Sequence, residues 1–185
     1  MEKLKNLIIL TFFVSCSFNS LSAQNKTFTL KSDDVGGQFT KEQVYNKYGC
    51  QGQNISPQLH WENAPENTKS YAVTIYDPDA PTGSGWWHWL IFNIPNTVNE
   101  IPKNAGNPQS KLIPSATQSI NDYGTYGYGG PCPPQRDKPH RYIITVYALN
   151  VEKLKLDNDT NPATVSFYLN NHSIAKASLL VFYGR

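Results

Sequence analysis

Four residues able to bind or move protons stand at the ends of strand-like runs in this chain. Asp77 closes the run Tyr71-Ala-Val-Thr-Ile-Tyr76, and His88 lies among Trp86, Trp87 and Trp89. His140 and Tyr142 open a run that continues to Leu149. Imidazole N–H groups and a phenol donate hydrogen bonds, and a carboxylate beside an imidazole fixes its tautomer or raises its pKa. Such a set suits a small anion, phosphate or sulfate, held by charge-assisted hydrogen bonds. A structural reading competes with it: Asp77 caps the Pro78-Asp79-Ala80-Pro81 turn, and each histidine is a satisfied, partly buried residue.

Successive strand residues point to opposite faces, so parity assigns partners. Tyr71, Val73, Ile75 and Asp77 share one face of the first run. In the second, Trp86, His88, Leu90 and Phe92 share a face, opposite Trp87, Trp89 and Ile91. His140, Tyr142, Ile144 and Val146 share a face of the third. If these faces pack together, Asp77, His88, His140 and Tyr142 gather at the mouth of the core. The tryptophan cluster is expected to be half core and half pocket wall. Asp79 is expected to bond turn N–H groups, and Arg141 to pair with a surface or loop carboxylate. His60 and His172, in turn-like settings, carry no functional expectation. The segment Tyr128-Gly-Gly-Pro-Cys132-Pro133-Pro134 through Tyr142 is stiffened by prolines and opened by glycines, as a pocket rim would be. A stiff surface loop has the same spacing.

The elements around these residues are mostly strands. Thr27–Lys31 alternates polar and apolar residues. Tyr71–Tyr76, Trp87–Phe92, Tyr142–Leu149 and Ile174–Phe182 are rich in β-branched and aromatic types between turn residues. One helix is expected over Thr160–Leu169, with Thr160 as cap and Pro162 in the first turn. Ile101–Pro139 lacks periodicity and is expected to be an ordered, functional loop region. Thirteen prolines, twelve glycines and eleven tyrosines favour a loop-rich β protein.

Met1–Ala23 has the pattern of a cleaved export signal: Lys3 and Lys5, a short apolar run Leu7–Val14, then small polar residues. A rival is a relaxed lipoprotein box at Cys16, which would tether the protein to a membrane. Either way the mature chain, residues 24–185, is expected to be one exported domain, periplasmic or secreted. Removing the leader leaves 16 − 2 = 14 basic and 14 − 1 = 13 acidic residues, a net charge that gives no reason to expect nucleic acid or an anionic membrane as partner. Outside the leader only Cys50 and Cys132 remain. In an oxidising compartment such a pair invites a disulfide, and two separately buried thiols are the alternative.

Five coupled motifs resemble the phosphatidylethanolamine-binding proteins, specifically their bacterial Raf-kinase-inhibitor-like branch. They are Asn54-Ile-Ser-Pro57, Asp77-Pro-Asp-Ala-Pro81, Gly83-Ser-Gly-Trp-Trp-His-Trp89, Tyr128-Gly-Gly-Pro-Cys-Pro-Pro134 and His140-Arg-Tyr142. The resemblance covers about Thr27–Arg185. It implies an antiparallel β-sandwich with a few short helices and a small anion pocket for phosphate-like groups, phospholipid headgroup analogues included. By motif position the pocket falls on Asp77, His88, His140 and Tyr142, with Trp86 beside them and Cys132, Pro133 and Pro134 at the rim. Eukaryotic members carry a further C-terminal helix that helps close the pocket. This sequence finishes at Val181-Phe-Tyr-Gly-Arg185, so a more open mouth is expected, and the resemblance does not carry lipid sequestration or kinase inhibition over to it.

The first functional expectation is a non-enzymatic binding or inhibitory module for a small anionic ligand, or for a phosphorylated or acidic group on a partner protein. No cofactor is implied. An ester hydrolase using Asp77 to orient His88 or His140 as general base is the alternative. Against it, no serine or cysteine sits in an activating motif, and Ser84 lacks the strand–elbow–helix setting of a hydrolase nucleophile. A metal site built from the two histidines and a carboxylate is a third, and its spacing matches no short ligand pattern.

Overall fold

Alternating and fully apolar runs fold into strands here because each strand has a face, or two, to bury. The computed structural model describes residues 26–185; the leader and Cys16 lie outside the described residues. The strands are β1 (Thr29–Lys31), β2 (Leu59–Glu62), β3 (Ser70–Asp77), β4 (Trp86–Pro95), β5 (Glu100–Ile101), β6 (Thr117–Gln118), β7 (His140–Leu149) and, after helix α1 (Pro162–His172), β8 (Ser173–Tyr183). They form a three-stranded sheet, β1-β2-β5, and a five-stranded sheet, β6-β4-β3-β7-β8, with antiparallel pairing throughout.

Two apolar layers flank the larger sheet. One lies between the sheets, where Leu30, Leu59, Trp61 and Ile101 meet Val73, Ile75, Trp89, Ile91, Tyr142, Ile144 and Val146. The other joins Ala72, Leu90, Phe92 and Leu149 to Val165 and Leu169 of the helix. Central strands β3, β4 and β7 are therefore buried on both faces. The outer strand β8 alternates buried or half-buried with exposed positions, as a one-sided strand does. The mainly-β sandwich is as expected, with one helix of 11 residues among the described residues instead of several.

Three readings need correction. Asn161, not Thr160, caps α1: its Oδ1 accepts from Thr164 N at 2.9 Å, while Thr160 donates to Asp157. His60 lies within β2 rather than in a turn. The parity of β4 fails, because the strand carries two one-residue bulges. Val73 pairs with Ile91 but Tyr71 with Ile94, and Ile75 pairs with Trp89 but Tyr76 with Trp87. An extra residue on one strand reverses the facing of everything beyond it. His88 is the unpaired residue at the second bulge. Consequently Trp86 and His88 face the same side as Trp89 and Ile91, and Leu90 and Phe92 face the helix.

Candidate functional site

The C-terminal end of β3, the start of β4 and the start of β7 surround a cavity of about 390 Å³, a volume suited to a small ligand. Asp77, His88, His140, Tyr142, Trp86, Cys132, Pro133 and Pro134 all line it. The four proton-bearing residues are each 3% exposed or less. Gathering them took the second bulge of β4; regular pairing would have aimed the His88 ring at α1.

Asp77 does both things the sequence offered as alternatives. Its Oδ1 accepts the Asp79 and Ala80 N–H groups at 2.8 and 3.1 Å, capping the turn. Its Oδ2 lies 2.8 Å from His140 Nδ1. The other ring nitrogen, Nε2, lies 3.3 Å from Asp137 Oδ2 on the rim loop. Burial works against a charged ring, but the two flanking carboxylates outweigh it and raise the His140 pKa. Both N–H groups of that imidazolium are committed. His88 is the opposite case. Burial lowers its pKa to about 4, against weaker support from the Gly129 carbonyl and Asp77. Its Nδ1 lies 2.7 Å from Gly129 O, a pure acceptor, so Nδ1 carries the hydrogen. Nε2 of the neutral ring is left as an acceptor.

Two donors complete the set. Tyr142 Oη and Trp86 Nε1 are shielded from solvent and have no hydrogen-bond partner among the described residues. A buried polar atom without a partner costs free energy that a ligand can recover. Asp79 does not bond turn N–H groups. It grips Arg141 instead, accepting from the backbone N at 2.9 Å and from Nε and Nη2 at 2.8 and 2.7 Å, as expected for Arg141. That arrangement ties the Asp-Pro turn to β7 outside the cavity. His60 and His172 bond Gln58 and Asn150 and take no part.

The rim is fastened twice. A disulfide joins Cys50 to Cys132 across 82 residues. Arg185 donates from Nε to Pro133 O at 2.5 Å and from Nη1 to Gly49 O at 3.2 Å, linking the same two segments. Sequence reasoning missed Tyr48, Thr82, Asp122 and Tyr123, which also line the cavity. Tyr45, Tyr48 and Tyr123 stack with ring planes within 19° of one another. Tyr123 lies far along the chain from Tyr45 and Tyr48, and only the wealth of tyrosine hinted at such a wall. Burial raises the pKa of Asp122, whose Oδ2 accepts the Trp87 N–H at 2.7 Å. Among the described residues no three ligating side chains are placed to hold a metal ion.

Comparison with known proteins matches this architecture. The family model described as phosphatidylethanolamine-binding protein matches residues 17–184. The chain is 45% identical to the UPF0098 protein YbcL of Escherichia coli K12 over 97% of its own length and 98% of that protein. It is 41% identical to YbhB of the same organism, over 83% and 98% of the two chains. The crystal structure of E. coli YbcL, itself described as a member of the mammalian family, superposes with a TM-score of 0.84 at 47% identity, covering 85% of this chain and 98% of that one. A phosphatidylethanolamine-binding protein from Plasmodium vivax shares the fold at a TM-score of 0.51 and 15% identity, covering 86% of each chain. The chain belongs to the phosphatidylethanolamine-binding protein family.

Proposed function

We propose that this protein is an exported, non-enzymatic binding module whose cavity takes a small protonated phosphate group, free or at the end of a headgroup. The observation that carries the reading is the pair of shielded, partnerless donors, Tyr142 Oη and Trp86 Nε1, beside the free acceptor His88 Nε2. A phosphate monoanion or monoester offers acceptor oxygens to the first two and a P–OH to the third. The Asp77–His140 pair cancels its own charge, so the ligand meets no net repulsion from it. A doubly charged phosphate monoester has no hydrogen to give His88, and either dianion would face the Asp122 carboxylate with a second negative charge. The family description supports a phospholipid-type headgroup, and the disulfide supports an oxidising compartment.

Hydrolysis has no supporting observation. Among the cavity-lining residues the one aliphatic hydroxyl, that of Thr82, donates to Gly85 O at 2.6 Å, and Cys132 is held in the disulfide. Calorimetry with inorganic phosphate and phosphoethanolamine tests the binding reading. Wild type should show saturable binding that His88→Ala weakens, strongest where the monoanion dominates. Absence of saturable binding to either probe would remove it. Export is tested separately, by N-terminal sequencing of the mature protein: a start near Gln24 supports the leader, and an intact Met1 refutes it.

A further inference from the structure

A second cavity lies across the tyrosine wall from the first, larger at about 580 Å³. Tyr48 and Tyr123 line the first cavity and Tyr45 the second, with the Tyr45 and Tyr123 rings stacked at 4.2 Å. Its floor is built rather than incidental. Tyr128 N donates to Gly106 O at 2.8 Å and Gly106 N to Ser56 Oγ at 2.8 Å. At Gly127, φ is +79° and a Cβ would come within 2.2 Å of Gly106 O, so only glycine closes this junction. Asn54 pins the floor from both ends of its amide, donating to Tyr128 O and accepting from Gly130 N.

The rim contrasts with that committed floor. The side chains of Asn46, Gln53, Asn104 and Gln109 line the cavity and make no hydrogen bond among the described residues. Each amide offers two donors and an acceptor without charge. Tyr126 stands among them, 44% exposed, its hydroxyl fixed to Asp159 Oδ1 at 2.6 Å. An exposed ring with an anchored hydroxyl is a rigid stacking platform. No carboxylate lines the cavity and Lys47 is its one cation, so it suits neither a metal ion nor a polyanion.

Neutral donors and acceptors around a fixed aromatic face match one ligand chemistry best, a ring dense in hydroxyls. We propose that this second cavity binds a neutral saccharide, hydrogen-bonded by the amide rim and stacked on Tyr126. The site is independent of the phosphate reading.

The test is a ¹⁵N–¹H NMR titration of the purified chain with maltotriose and with triacetylchitotriose. Trialanine serves as peptide probe, and inorganic phosphate as control for the first cavity. Saturable shifts at Gln53, Thr125 and Tyr126 are expected for a saccharide, with a dissociation constant of about 1–10 mM. Tyr126→Ala should weaken the sugar about tenfold or more and leave the phosphate response as in wild type. Gln53→Ala, at an exposed side chain, should weaken it less. No saturable shift with either sugar up to ~50 mM would overturn the proposal. So would sugar binding unchanged in both variants, or binding of trialanine in place of sugar at these residues.

Discussion

His88 and His140 stand in one cavity, are equally hidden from water, and are held in opposite states. His88 meets a carbonyl and apolar rings, so burial governs and the imidazole stays neutral. His140 meets two carboxylates, so pairing governs and the imidazolium is favoured. Burial alone does not set a histidine's charge; the partner does. One wall thus carries a neutralised ion pair and the other an uncharged acceptor. The contrast also fixes a stability profile. Between pH 6.5 and about 4 the unfolded chain binds a proton that folded His88 refuses, so stability falls as the solution is acidified. Above 6.5 folded His140 keeps a proton that the unfolded chain releases, so stability falls again as pH rises through its raised pKa. These two rings alone place the optimum near the ordinary histidine value.

Removing the shared carboxylate should break the contrast most severely. Asp77→Ala leaves a buried imidazole with one exposed partner and two turn N–H groups unbonded; a loss of about 3–5 kcal/mol is expected from denaturant midpoints. It should also flatten the alkaline decline, and an unaltered alkaline limb would show that His140 is not held by Asp77. Next comes His88→Leu. A ring held near 4 rather than 6.5 costs the acid state on the order of 3 kcal/mol, so the acidic decline of wild type should shrink by about that amount in the variant. Tyr142→Phe removes a hydroxyl that has no protein partner. Thermal midpoint should hold or rise while phosphate affinity drops about tenfold; the reverse pattern would mean the hydroxyl serves the fold instead. Arg141→Ala acts outside the cavity on a half-exposed, solvent-screened pair and should have the smallest effect. Arg141 holds the Asp79 carboxyl well below the usual carboxylate range, so what stability it gives is present above that range and lost on acidification. The alkaline limb should be untouched.

The sequence made the strands around the site legible and left the facing of one of them wrong. β3 and β7 keep a regular pleat from Asp77 and His140 inward, so counting by two placed their residues correctly. Counting by two also grouped His88 with Leu90 and Phe92, which lie on the other face. Nothing local marks the bulge at His88, since a bulge is set by the register of the neighbouring strand rather than by a residue type. The three short strands β2, β5 and β6 were missed for a related reason: two to four residues are too few to show a period. Asn161 displaced Thr160 as cap because the helix begins at Pro162, one residue later than a cap at Thr160 would start it. Asp137 and the tyrosine wall were invisible as site residues, because their roles depend on where the loop folds back.

Cys50–Cys132 and Arg185 stitch the same two rim segments together by unlike chemistry, one covalent and one a set of hydrogen bonds to carbonyls. Such redundancy means that losing either stitch leaves the mouth largely in register, whereas losing both releases it. Single lesions would then look benign and the double lesion disproportionate, a synergy that would hide the rim's importance from any survey made one residue at a time.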